Sequence, residues 1–351
     1  MPPRMPLIDA LKGISAQVIV LHHLASYGPV AEAMNLLLPA LTDWLYGYGR
    51  MAVQVFLVVA GFLAARGLAP GGVATFSRPA GLIWKRYLRL VRPFMVAMLL
   101  AIAAAALARA WMPGDMPPDA PSVWQFVAHG LLLHGLLGVP SLSAGVWYVA
   151  IDFQLYVLLL GLLWLSNYTN IHAWKRRLGM LLVVVFGVAA LFHWSRNEAL
   201  DMWAIYFFGP YALGAMSYWV SAPERRPAYF VLLILVGALA LWPDFRLRVA
   251  LALLTSLILG MATMNGWLER WPENRVVAYF GRISYSVFLV HFPVLLIVNA
   301  CFAHFTSGSA ALGLVAALLA WLASAVAGGI FYRHMESRKQ WWPAHAAPEK
   351  R

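Results

Sequence analysis

Charge is scarce in this chain. Only 11% of its 351 residues are Asp, Glu, Lys or Arg, while 62% are hydrophobic. A soluble domain carries about 25% charged residues, so the shortage excludes an ordinary water-soluble fold. Cysteine is nearly missing. Cys301 stands alone, which rules out an intramolecular disulfide and a thiolate metal cage. Acids are outnumbered, 14 against 26 Lys plus Arg, for a formal charge of +12. Between Asp43 and Asp115 there is no acidic residue at all. With no carboxylate or thiolate cluster, no metal site is expected. The basic residues are dispersed over separate loops. That spread speaks for loops held at anionic lipid and against a nucleic-acid partner. Asp9 and Lys12 interrupt the first apolar stretch, and no small-residue cleavage site follows it. The N-terminus therefore does not read as a cleaved signal peptide.

What the chain has in abundance is apolar runs near 20 residues, the length that crosses a bilayer core of about 30 Å as a helix. Spans are predicted near 7–26, 49–66, 92–112, 145–165, 178–194, 200–220, 228–243, 247–264, 280–302 and 309–332. A further apolar segment, 123–139, is short and holds His129 and His134. Omitting it as a span puts Lys85-Arg86, Lys175-Arg176-Arg177, Arg225-Arg226, Arg270/Arg275 and Arg333/Arg338/Lys339 on one side. The positive-inside rule then favours an all-α polytopic membrane protein of about ten transmembrane helices, both termini cytoplasmic. Residues 123–139 become a re-entrant or interfacial helix on the outer side, with an eleventh short span as the alternative. Residues 1–333 form one integral-membrane domain and 334–351 a cytoplasmic tail. No loop is long enough to hold a soluble domain, and no internal repeat stands out.

Four segments concentrate polar chemistry. The first is LIDALKGISAQVIVLHHL, residues 7–24. Eleven steps of about 100° return His23 to within roughly 20° of Lys12 on one helix face, about 16 Å further along the axis. Asp9 and Lys12 are i,i+3 neighbours placed to pair. Ionisable groups inside a span face protein or a water-filled cavity, so Lys12 is a candidate for an anion at the inner side. His23 is a candidate acid–base residue further out. His22 lies about 100° away and counts as a possible pocket residue. The second segment, SRPAGLIWKRYLRLVRP, spans residues 77–93. Arg86 and Arg89 are i,i+3, and their planar forks suit phosphate oxygens. A plain basic anchor to lipid headgroups is the other reading.

The third segment is VWYVAIDFQLYVLL, residues 146–159. Asp152 sits in a strongly apolar helix, where an unpaired carboxylate is costly and a partner is expected. Tyr148 and Tyr156 are near enough in sequence to bond it. A depth similar to that of His23 would let Asp152 orient the imidazole; a structural Asp–Tyr or Asp–Arg network is the alternative. The fourth is FGRISYSVFLVHFPVLL, residues 280–296. His291 falls near mid-depth, as a pocket-lining or a packed histidine. Pro293 frees backbone groups just beyond it. Arg282 and Tyr285 read as interfacial anchors.

Taken in order, DALKGISAQVIVLHH, VFLVVAGFL, KRYLRLVRP, WYVAIDFQLYVL and GRISYSVFLVHFP resemble the motifs of the acyltransferase 3 family of integral-membrane O-acyltransferases. The likeness covers essentially the whole chain. It implies an enzyme moving an acyl group, usually acetyl from cytoplasmic acetyl-CoA, onto a hydroxyl of an extracytoplasmic or lipid-linked glycan. It further implies a bacterial inner-membrane location, acetyl-CoA as co-substrate, and glycan-assembly proteins as neighbours. His23 would correspond to the family's first-helix catalytic histidine. Arg86 and Arg89 would correspond to its R-x-x-R pair holding the CoA end. Asp152 would replace a glutamate, and Lys12 an arginine. General-base catalysis and an acyl-imidazole intermediate both stay open. Tyr148, Gln17 and the backbone of the 139–145 bend are candidate oxyanion donors. A transporter or flippase for a lipid-linked or anionic solute is the rival from another class. A member that binds but does not catalyse is another.

Overall fold

The computed structural model describes residues 4–112, 117–166, 172–222, 226–306 and 308–337, with backbone alone for 172–177. Among the described residues the regular structure is helical throughout. Helix α1 (Pro6–Leu24) is followed by two short helices, α2 (Gly28–Leu37) and α3 (Pro39–Tyr48). A 3₁₀ turn at Gly49–Ala52 leads into α4 (Val53–Leu68), then α5 (Pro79–Trp111) and the short α6 (Val123–Gly130). Helices α7 (Trp147–Leu165), α8 (His172–Phe192), α9 (Ala204–Val220), α10 (Pro227–Leu241) and α11 (Leu247–Met264) come next. One turn, α12 (Trp267–Arg270), precedes the long α13 (Arg275–Phe305) and α14 (Ala310–Phe331).

Each of the ten predicted spans lies on one of these helices. Among the described residues, eight helical runs are long and apolar enough to cross a membrane. The two predicted spans outside that set fall on α9, with 17 residues, and α10, with 15. Helix α9 is short because it is interior: it spends positions on glycine, tyrosine and Pro210, and most of its residues are buried. Segment 123–139 forms an eight-residue helix followed by turns. Eight residues rise only about 12 Å, too little for a crossing.

Three features go beyond the predicted spans. Residues 28–48, which lie between the first two of them, fold into α2 and α3. The Val30 N–H on α2 donates to the buried Asn299 side chain on α13 at 3.0 Å. The basic stretch 79–91 is not a separate loop; it forms the opening turns of the 33-residue α5, started by Pro79 at the first helical position, where its missing N–H costs nothing. The first residues of the expected tail, from 334, are helical. Residues Tyr332–Glu336 continue α14 as a π-helical turn, and the rest of the expected tail, from 338, lies outside the described residues.

In lipid the hydrophobic effect does not drive helix against helix, so close contact depends on small residues. Helices α4 and α9 show this. A methyl group placed on Gly61 would run into the Tyr211 carbonyl, and one on Gly214 into the Val58 carbonyl. The two backbones therefore touch at reciprocal glycines. Gly67, on the same α4, has nothing within 4 Å of an added Cβ. Gly61→Ala is expected to destabilise the protein in detergent by about 2 kcal/mol or more, since backbone cannot yield like a side chain. Gly67→Ala should be neutral or stabilising by up to about 1 kcal/mol. Thermal unfolding of the two variants side by side checks the contrast.

Candidate active site

The first histidine motif and the last meet where α1 packs on α13. Gly13 and Gly281 face each other there: an added Cβ on Gly13 would lie 2.9 Å from the Gly281 nitrogen. That closeness carries His23 onto His291. The His23 Nδ1 is 2.7 Å from the His291 Nε2, and the rings lie 8° from parallel with centroids 4.9 Å apart. Both side chains are buried.

The partners fix the protons. His291 Nδ1 lies 2.7 Å from the Phe288 carbonyl and 3.3 Å from that of Val287. A carbonyl only accepts, so Nδ1 carries the hydrogen, and the Nε2 of neutral His291 is a lone pair. His23 must then donate its Nδ1–H to His291, leaving the His23 Nε2 as the unprotonated nitrogen. An imidazole with Nδ1–H held by an acceptor and Nε2 bare is arranged as a general base, with a neutral histidine where a triad has a carboxylate.

The 139–145 bend closes over this ring. Gly145 has φ +77°, and an added Cβ there would sit 3.1 Å from the His23 Cε1, the atom beside Nε2. Phe288 lines the same gap, and the Tyr148 ring packs against it with centroids 5.6 Å apart. His22 points elsewhere. Its Nδ1 donates to the Leu45 carbonyl on α3 at 2.9 Å, and Gly49 crowds its Cβ. His22 is thus a tie between α1 and the segment that follows it. Gln17 accepts from the Trp321 indole at 2.8 Å, and its Nε2 is buried without a partner.

Asp152 does not orient His23, as had been expected. Its Oδ2 lies 2.5 Å from the Arg86 Nη2. Helix α7 starts at the bend, so five helical rises carry Asp152 roughly 8 Å past Trp147 and away from the histidine pair. A buried carboxylate needs a cation, and the extended α5 supplies one. The Arg86 guanidinium also lies over the Tyr156 ring at 5.2 Å, and its Nε is buried with no partner. Tyr148 and Tyr211 face this pair.

Towards the start of α1 the cations gather. Lys12 lies 4.0 Å from Asp9 and is close enough to Arg89 to feel its charge, as Arg89 feels that of Arg86. The Glu336 carboxyl, on the π-helical turn after α14, faces both Lys12 and Arg89. The Tyr285 hydroxyl donates to the Leu90 carbonyl at 3.1 Å, so Tyr285 staples α13 to α5 and is not an interfacial anchor. Arg282 remains exposed.

Of the residues singled out from the sequence, the structure brings His23 to His291, Arg86 to Asp152, and Lys12 near Asp9 and Arg89. Sequence reasoning missed His291 as the partner of His23, Gly145 as its wall, and Glu336. The glycine at the foot of the WYVAID helix was the available signal for Gly145. Glu336 had none, since nothing local ties the end of α14 to α1.

Removing one member of a buried ion pair strands the other charge. Asp152→Asn and Arg86→Gln are each expected to lower stability by about 2–4 kcal/mol. The double variant should lose less than the sum of the two. A double-mutant cycle on thermal or chemical unfolding reads this directly.

The model of the acyltransferase 3 family, described as "Acyltransferase domain", matches residues 6–332. Among curated proteins, "Regulator of hypoxia-inducible factor 1" of Caenorhabditis elegans is 25% identical over 170 residues, 44% of this chain and 33% of its own. The chain thus matches about a third of that relative's length. No solved structure matches. The family match runs from the first turn of α1 to the end of α14 and takes in the histidine pair, the buried ion pair and the inner cations. On that match this multi-pass membrane protein belongs to the acyltransferase 3 family.

Proposed function

We propose that the protein is an O-acetyltransferase of a bacterial inner membrane. It takes acetyl from cytoplasmic acetyl-CoA and passes it to a hydroxyl of an extracytoplasmic or lipid-linked glycan. The observation that carries this reading is the 2.7 Å contact of His23 on His291, because it leaves a basic nitrogen beside the Gly145 bend. Both termini lie in the cytoplasm, and Lys12 and Arg89 receive the phosphates of CoA from that side. The pantetheine arm then reaches between the helices to His23.

In the transfer, the His23 Nε2 takes the proton of the acceptor hydroxyl as its oxygen attacks the thioester carbonyl. The C–S bond breaks, and the thiolate of CoA leaves with the proton that the imidazolium returns. The products are the O-acetyl ester and CoA–SH. His291 accepts the Nδ1–H of His23 throughout, which holds the tautomer and spreads the charge of the imidazolium. The 139–145 bend and Tyr148 lie near enough to the Gly145–Phe288 gap to supply oxyanion donors. Arg86 cannot serve as a free fork for phosphate, because one nitrogen is committed to Asp152. Its part is to hold α5 and α7 at the spacing the donor needs, with the buried Nε open to an acceptor atom.

Release of CoA from acetyl-CoA by protein in lipid nanodiscs, with and without lipid-linked glycan extracted from bacterial membranes, tests the reading. Glycan-stimulated release is expected, and His23→Ala should lower kcat about 10³-fold. His291→Leu should lower it about 10²-fold with little change in KM, because the lost interaction is made with the transition state. No turnover with an acceptor proven competent elsewhere would move the protein to the carrier class.

A further inference from the structure

We propose that His129 is a positioning residue for the reaction at His23: it clamps the 140–145 bend so that Gly145 seats against the reacting imidazole. The inference rests on His23 as the reacting residue. His129 is buried on α6, outside the family's motifs quoted above and away from the histidine pair. Its Nδ1 lies 2.7 Å from the Gln125 carbonyl, and its Nε2 accepts the Leu142 N–H at 3.1 Å. Since a carbonyl only accepts, the Nδ1 carries the hydrogen and the Nε2 lone pair is the one that takes Leu142. Both nitrogens are spent on backbone, and only the neutral imidazole in this tautomer satisfies both.

A second bond acts alongside. The Gln125 Nε2 donates to the Pro140 carbonyl at 2.8 Å. One turn of α6 therefore grips the bend at Pro140 and at Leu142. Gly145 is three residues on, and its φ of +77° turns the chain into α7. Helix α6 is itself anchored. The Tyr87 hydroxyl, next to Arg86 on α5, donates to the Gly130 carbonyl at 2.7 Å. His134 stacks on His129 with centroids 4.1 Å apart and planes 5° apart, and Phe94 of α5 lies parallel to both. The ring of His129 cannot tilt without losing these faces.

This arrangement explains why a non-crossing segment carries a fully bonded, buried histidine. A bend has no helix or sheet ladder to fix it, yet here it stands so close to His23 that an added Cβ on Gly145 would lie 3.1 Å from the ring. Displacement by about 1 Å at a reacting centre costs on the order of 10²-fold in rate. The clamp turns a loop into a wall as rigid as the helices it joins.

The test uses full-length protein in nanodiscs with acetyl-CoA and the membrane glycan extract. Wild type, His129→Leu, His129→Gln, Gln125→Ala and His23→Ala are compared. Amide hydrogen exchange over 140–146 is measured without substrate. His129→Leu is expected to raise exchange at the Leu142 amide about tenfold or more and to lower kcat about 10²-fold. Its KM for acetyl-CoA should stay within about twofold, since the cations proposed to hold the donor's phosphates lie elsewhere. His129→Gln, whose Oε1 can replace Nε2 as acceptor, should return kcat to within about fivefold of wild type. Gln125→Ala should show a smaller loss of the same kind, and it carries the test if His129→Leu does not fold. A His129→Leu protein with wild-type kcat or unchanged exchange overturns the inference. So does a folded His129→Gln as slow as His129→Leu, or a Gln125→Ala unchanged in both readouts. Full activity in His23→Ala overturns the proposed function and this inference with it. A dead His23→Ala beside a full-rate His129→Leu overturns this inference alone.

Discussion

The site depends on how closely α1 can lie on α13. Hydrocarbon gives two apolar helices little reason to prefer each other over lipid, so contact must come from shape. The facing Gly13 and Gly281 let the backbones meet, and ten residues further along each helix the same crossing brings His23 to His291. A larger residue at either glycine would press on the facing backbone and push the two helices apart. The basic nitrogen is thus a product of helix packing as much as of side-chain chemistry.

The same bundle solves a different problem at depth. Asp152 and Arg86 come from α7 and α5. Each is costly alone in a low-dielectric interior, and together they are tolerable. Tyr156 covers the guanidinium from one side. The charge pair therefore makes the relative depth of α5 and α7 nearly obligatory, which in turn sets where the 139–145 bend emerges.

Much of this was legible in the sequence, and the limits have physical causes. Apolar runs marked the eight helical runs long enough to cross a membrane because a bilayer demands length and continuity. The helical repeat put Lys12 and His23 on one face because α1 is straight and uninterrupted. The partner of Asp152 was not legible. Depth was judged by counting residues from an assumed outer end, and a shift of one turn exchanges a histidine for an arginine. His291 was placed at mid-depth, but whether it lined a cavity or met another residue depended on the α1–α13 crossing, which no local pattern encodes. The helices at 28–48 were overlooked because each has only ten residues, too few for a window tuned to spans. Glu336 was overlooked for a different reason: one acid at the end of an apolar helix looks like solvent-exposed tail until the chain folds back over α1.

At the end of the bundle that holds the start of α1, cations and carboxyl groups stand face to face. Lys12, Arg86 and Arg89 stand opposite the carboxyl groups of Asp9, Asp152 and Glu336. A polyanionic donor of the kind proposed above would not fill a vacant basic hole there. It would compete with carboxyl groups already in residence, so its binding would be an exchange of partners. Affinity would then follow the difference between phosphate and carboxyl at each cation, and the count of cations would be a poor guide to it. On that proposal the end of α14 would be part of the donor's selectivity, because Glu336 is the competitor carried on the element nearest the end of the bundle.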